Sequence, residues 1–407
     1  MLQSTEQIIL RGITIVGEEA TIKSGSIYCK DGKIKAISTN STCKWEVEED
    51  ATILDFTAHA GYQAIPGFID LHIHGADGAD TMDGNTTALQ TLCRALPKEG
   101  TTSFLPTTIT QSDENITNAV ASVSQYQKKK TGGESEIIGI HLEGPFISAK
   151  KAGAQPSQFI APPSLEKFEH WQNMAGGMIK IVTLAPELYG GFSFIQQVTE
   201  TGTTVSLGHT DASFVEVEQS VKCGATQVTH LYNQMTGLHH REPGVVGAAL
   251  ALSDIKAEII CDGVHVHPQA VRIAYEAKGA EGLLLVTDSM RAKGLDNGVY
   301  DLGGQKVKVC DGTATLHDGT LAGSVLQMID AVKNVMKFTG CTLQEGVQMA
   351  SANPAKQIGV FDRKGSLTEG KDADIVIVDE NYDVVMTFCK GVLAHRKDGM
   401  YEASNCS

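Results

Sequence analysis

The sequence predicts an α/β protein: a closed (β/α)8 barrel of the TIM type, with a small β-sandwich formed by both chain ends. Three observations carry this. Eight short apolar runs recur between residues 65 and 287, longer amphipathic stretches separate them, and both ends turn to short alternating strands. Strands apolar on both faces that alternate with helices belong in a parallel sheet covered on both sides. Eight such units over about 300 residues suit a barrel, and a doubly wound open sheet is the alternative. The expected division is 1–62 for the first part of the sandwich, 63–365 for the barrel and 366–407 for the remainder of the sandwich.

At the N-terminal end, residues 8–15 and 25–29 are rich in β-branched and apolar side chains. Asp31-Gly32 is a hairpin turn signal, and 33–37 alternates in polarity after it. The barrel strands are predicted at 65–74, 101–106, 137–142, 179–184, 203–207, 225–229, 257–261 and 283–287. Helical patterns fill the gaps, for example 86–99, 115–128 and 212–223. Residues 301–310 and 312–316 read as a late hairpin insertion, and 325–339 and 342–351 as helices. Short strands return at 373–379, 384–387 and 391–393, and the simplest account pairs them with the N-terminal ones.

Composition narrows the function. A net charge of −15 argues against a nucleic-acid surface, which needs a basic face, and means that any anion site must be local. The nine cysteines are scattered without a CxxC pair, and the opening residues lack a charged-then-apolar leader. Reduced thiols and a cytoplasmic protein are expected. No apolar run is long enough for a membrane span.

The informative polar residues fall at the ends of the predicted strands. His72 and His74 close the first, and period-two alternation points both to one side. Glu143 follows the third strand, His209 the fifth, His230 the sixth and Asp288 the eighth. Each alone has a plain structural explanation, a helix cap or a hydrogen-bonded core histidine. Together they would open onto the one barrel face where active sites lie. Nitrogen and carboxylate donors without cysteine suit zinc, iron, manganese or cobalt. Such an ion brings the pKa of bound water near 7, and Asp288 is assigned the handling of its proton.

Pro66–Gly75 with this ligand pattern resembles the amidohydrolase superfamily. More narrowly, seven stretches are similar to the N-acetylglucosamine-6-phosphate deacetylases. They are 141–146 (HLEGPF), 207–210 (LGHT), 229–235 (THLYNQM), 241–244 (REPG), 262–265 (DGVH), 286–289 (VTDS) and 321–324 (LAGS). The resemblance implies hydrolysis of the N-acetyl group of N-acetylglucosamine 6-phosphate to glucosamine 6-phosphate and acetate, in amino-sugar catabolism. It implies one or two divalent ions per chain, zinc first, with Glu143, His209 and His230 on the main ion and Asp288 as general base and acid. It also implies substrate binding by Ala154, Gln155, Asn233, Gln234, Arg241, His265, Leu321, Ala322 and Gly323, and a homodimer in which Arg241 reaches across the interface.

Two departures from the wider family stand out. Strand four ends Leu184-Ala185-Pro186-Glu187, without the lysine that bridges two metals in many amidohydrolases, so Glu143 becomes the bridge. The chain keeps His72 and His74, which some deacetylases lack, so a second ion is expected there with Glu143, and Asp288 is a further candidate ligand. Gln155 stands near a position where some relatives carry a histidine, and the second ion is expected to compensate. His239 and His240 read as solvated loop residues, His267 as structural because Pro268 follows, and His141 as support behind the ligands. A cyclic-amide hydrolase is disfavoured by the missing lysine and by Arg241 and His265. A non-catalytic assembly barrel is disfavoured because every candidate ligand is intact.

Overall fold

Eight parallel strands close on themselves, which excludes the open-sheet alternative. The computed structural model describes residues 7–18, 20–41, 45, 51–58, 61–127 and 132–398. The barrel strands are β1 (Phe68–Ile73), β2 (Thr101–Pro106), β3 (Glu136–Ile137 and Ile140–Glu143), β4 (Ile179–Leu184), β5 (Thr204–Leu207), β6 (Gln227–Val228), β7 (Lys256–Ile259) and β8 (Leu283–Leu285). Each pairs with its successor, and the ring shuts through bridges at Thr107–His141 and Ile73–Ser289. Near the second bridge the Asp288 N–H donates to the His72 carbonyl at 2.8 Å, and the His74 N–H donates to the Ser289 carbonyl at 2.9 Å. The ends of β1 and β8 are therefore fixed to each other.

A helix follows every strand: α1 (Thr86–Ala95), α2 (Asp113–Gln127), α3 (Leu165–Met174), α4 (Gly191–Thr199), α5 (Phe214–Lys222), α6 (Gly244–Ala251), α7 (Pro268–Gly282) and α8 (Met328–Thr339). Local chemistry sets their starts. Asn85 accepts from Thr87 N and Ala88 N ahead of α1. Ser213 and Glu216 form a capping box, so α5 begins at Phe214, two residues later than the pattern alone suggests. His267 caps α7 by accepting from Gln269 N, the structural role expected of it. The predicted hairpin insertion forms three antiparallel strands, Gly298–Leu302, Gln305–Cys310 and Thr313–Thr315.

The chain ends share one eight-stranded sheet with its own apolar core, including Leu10, Ile13, Ile27, Ile375 and Phe388. The apolar run 65–74, read as one strand, is two. Gln63–Pro66 pairs antiparallel with Ile375–Val378 in the end sheet, and β1 starts at Phe68. Gly67 makes the break possible, because a Cβ there would lie 2.2 Å from the Thr102 hydroxyl.

A buried ion cluster ties the two bodies together. Lys364, 2% exposed, pairs with Asp374, with Glu136 of β3 at 3.0 Å and with Asp372 at 3.2 Å. Arg363 adds contacts to Glu136 at 2.9 Å and Asp372 at 2.6 Å, and Lys33 reaches Asp372 at 2.6 Å. Burial alone would raise the Glu136 and Asp372 carboxyls, but the surrounding cations hold both below the usual carboxylate range. A carboxyl depressed in the folded state stabilises it above the unfolded pKa of about 4 and loses that contribution as pH falls. Lys364→Met strands buried carboxylates and is expected to cost about 3–5 kcal/mol at pH 7. Measured by denaturant titration, the deficit should shrink towards pH 3, and a deficit independent of pH would refute the assignment.

Candidate metal centre

Strand alternation turns Asp70, His72 and His74 of β1 and its extension inward, and all three are buried. His209, His230 and Asp288 follow β5, β6 and β8 with φ of +48°, +30° and +46°. Non-glycine residues held there cost of order 1–3 kcal/mol each, a strain that collects at functional sites. None of the three, nor Glu143, caps a described helix.

The ends of five strands, β1, β3, β5, β6 and β8, converge. Glu143 Oε1 lies 3.2 Å from both His209 Nε2 and His230 Nε2, which are 3.1 Å apart. His74 Nε2 is 3.2 Å from Asp288 Oδ1 and 3.5 Å from Glu143 Oε2. His72 Nε2 is 3.5 Å from Asp288 Oδ1 and 3.6 Å from Glu143 Oε1.

The far side of each ring decides what these approaches mean. A carbonyl only accepts, so His209 must donate through Nδ1–H to the Lys151 carbonyl at 2.8 Å, and His74 to the Thr107 carbonyl at 3.2 Å. His72 Nδ1 lies 3.0 Å from the Glu258 carboxylate. In the neutral rings the Nε2 atoms of His209, His74 and His72 then each present a lone pair to a carboxylate oxygen. That arrangement repels unless a cation sits among the atoms. His72 Nε2 and His230 Nδ1 also lack any hydrogen-bond partner. The same opposition moves the protonation equilibria. Burial resists charging His72 and His74, yet the carboxylates of Asp288 and Glu143 push both up. Burial would raise Glu143 and Asp288, yet the imidazoles hold both low.

Two trios can each grip one ion, Glu143–His209–His230 and His72–His74–Asp288, with donor atoms within 4.8 Å of one another. The donor set fits a divalent cation with nitrogen and oxygen preference. A third grouping, His72–His141–Glu258, is consumed by hydrogen bonds: the two nitrogens of His141 meet the Leu71 carbonyl at 3.0 Å and the Thr183 hydroxyl at 2.7 Å. His141 therefore stands behind the ligands.

A cavity of about 480 Å³ opens over the trios and is lined by His74, Glu143, His209, His230 and Asp288. Ala154, Gln155, Asn233, Gln234, His265, Leu321 and Gly323 also line it, as expected of a binding surface. His265 Nδ1 bonds Asp262 at 2.6 Å, and this carboxylate overcomes burial to raise the imidazole pKa.

Two residues, Gln155 and Ala322, lie differently from the sequence expectation, and Arg241 lies outside the cavity of its own chain. Gln155 directs an N–H to Glu143 Oε2 at 2.7 Å and accepts from Thr110 N at 2.7 Å, so its amide orients the carboxylate instead of being free for a substrate carbonyl. Ala322 does not line the cavity; its methyl is buried in an apolar cluster with Ile109, Met290 and Leu302. Arg241 is exposed, outside the cavity lining of its own chain, and its guanidinium donates to His240 at 2.7 Å. Sequence reading passed over Ile109 and Leu302, which give the cavity an apolar wall, and Glu258. For Glu258 a signal existed: one carboxylate inside the otherwise apolar run 257–261.

The model of the amidohydrolase family matches residues 64–394. The chain belongs to the amidohydrolase family. It is 47% identical over 391 residues to the N-acetylglucosamine-6-phosphate deacetylase of Bacillus subtilis (strain 168), covering 96% of this chain and 97% of the relative. The Thermotoga maritima N-acetylglucosamine-6-phosphate deacetylase superposes with a TM-score of 0.85 at 36% identity, covering 96% of this chain and 100% of that one. A Mycobacterium smegmatis N-acetyl-D-glucosamine-6-phosphate deacetylase mutant, in complex with N-acetyl-D-glucosamine 6-phosphate, superposes at 0.88 with 26% identity, covering 96% and 99%. Among the described residues, no helix is long and apolar enough to cross a membrane.

An ion that binds only the folded centre stabilises it by mass action. Zinc added to metal-stripped protein at 100 times its Kd should raise unfolding free energy by about 2.7 kcal/mol per site. His209→Ala should lose most of that gain at the same free zinc; an equal gain in the variant would remove His209 from the centre.

Proposed function

We propose that this protein hydrolyses N-acetylglucosamine 6-phosphate to glucosamine 6-phosphate and acetate, as a divalent-metal enzyme of amino-sugar catabolism. The observation that carries the reading is the convergence of imidazole lone pairs on Glu143 and Asp288 at the mouth of a barrel shared, nearly end to end, with deacetylases acting on that substrate. Zinc is the proposed ion, held by Glu143, His209 and His230, with a second held by His72, His74, Glu143 and Asp288. When bound, the ion acidifies water and polarises the amide carbonyl.

The side chains of the chain supply the remainder. Asp288 is 9% exposed and faces the cavity, where its carboxylate takes the proton of the attacking water and returns it to the departing amine. Gln155 keeps Glu143 in place. His265, hydrogen-bonded to Asp262, and the 233–234 segment face the sugar phosphate. The exposed guanidinium of Arg241 is proposed to complete the phosphate site of a second copy in a homodimer. Support comes from two large exposed apolar side chains in the same region, Leu238 at 62% and Val215 at 69% exposure, the latter beside Phe214, whose N–H donates to Glu242. A cytoplasmic location fits the seven described cysteines, all unpaired.

Asp288→Asn should cut kcat for acetate release by at least about a thousandfold with little change in KM, within the range of lost proton transfer. Near-normal turnover would remove Asp288 from proton transfer. Arg241→Ala should raise KM for the sugar phosphate at least tenfold, about 1.4 kcal/mol of binding, and leave kcat nearly unchanged. An unchanged KM would place Arg241 outside the phosphate site. Failure of the wild-type protein to release acetate from N-acetylglucosamine 6-phosphate with zinc present would overturn the function itself.

A further inference from the structure

We propose that Glu258 is a positioning residue: it locks His72 in the form that ligates a metal, and its charge makes the second ion site fillable. The inference rests on the two-ion reading above. Glu258 sits inside the barrel on β7, wholly buried. Its Oε2 accepts from His72 Nδ1 at 3.0 Å and from the His230 N–H at 3.2 Å. Its Oε1 accepts from the Gln227 amide at 2.6 Å. The carboxylate is thus held from three directions, and a fixed carboxylate dictates that Nδ1 of His72 carries the proton. Nε2 is left as a lone-pair donor with no hydrogen-bond partner, aimed between Asp288 and Glu143.

Charge gives a second reason. Glu143, Glu258 and Asp288 are all buried, and among the described residues no lysine or arginine forms an ion pair with any of them. With the imidazoles neutral, as metal ligation requires, the three carboxylates carry −3. One dication leaves the cluster at −1, and a second is therefore attracted. Without the charge of Glu258 a single dication neutralises the cluster, and the pull on the second disappears.

The test is zinc titration of the metal-stripped full-length protein, read by calorimetry and elemental analysis. Wild type should bind two equivalents per chain. Glu258→Gln should weaken the first only slightly and the second 10–100-fold, the usual effect of losing a carboxylate behind a histidine ligand. The double variant His72→Ala with Glu258→Gln should lose less than the sum of the two single losses, because part of the effect of Glu258 runs through that ring. A second equivalent of unchanged affinity in Glu258→Gln, equal weakening of both equivalents, or additive losses in the double variant would each overturn the proposal. Should Glu258→Gln not fold, Gln227→Leu keeps the carboxylate but removes its tether; it should weaken the second equivalent selectively, and an unchanged isotherm overturns the role. A wild type that binds only one equivalent defeats the two-ion reading itself, a result distinct from two equivalents with an indifferent Glu258.

Discussion

Imidazole lone pairs facing buried carboxylates are the constraint on which the centre depends. Three of the four rings, His209, His74 and His72, are turned by a hydrogen bond on the far side, to Lys151, Thr107 and Glu258, so that the near nitrogen meets a negative oxygen. Such a cluster is unfavourable by itself, since charge taken out of water is costly without an opposite partner. The surrounding barrel pays that cost through strand pairing, and left-handed backbone at His209, His230 and Asp288 adds to the strain. An ion turns the same arrangement from repulsive to cohesive.

The barrel interior beneath the site is correspondingly polar. Thr183, Ser206 and Thr229 link by hydroxyl contacts of 2.6–2.8 Å, His141 joins them, and Thr287 bonds Asp70 at 2.5 Å. Burial drives the Asp70 carboxyl up to about 6 despite the opposing charge of Lys293. A satisfied polar network of this kind fixes ring orientation more rigidly than an apolar filling would. The precision of the mouth is set one layer below it.

Much of this was legible in the chain alone. Period-two alternation put His72 and His74 on one side, and the alternation of strands and helices brought Glu143, His209, His230 and Asp288 to one end of the barrel. The long-range hydrogen bonds of the support residues were not legible. Glu258 and His72 are 186 residues apart, and Gln155 acquires its role only where the loop after β3 folds back on Glu143. Nor does hydrophobic pattern distinguish one long strand from two collinear ones, which is why the break at Gly67 went unseen in the run 65–74. Ala322 was misplaced for a similar reason: neighbours along a chain do not share an orientation, and only Leu321 and Gly323 face the cavity.

That break carries a biosynthetic consequence. The segment Gln63–Pro66, directly ahead of the first ligand-bearing strand, is held by Ile375–Val378, and the ligands of β1 are held in turn by residues after β8. A nascent polypeptide emerging from the ribosome lacks the second support until Ser289, and the first until Ile375, has been translated. Every ligand is therefore synthesised before the strand that anchors the entry to β1, and a product truncated ahead of Ile375 would carry the full donor set on an untethered first strand.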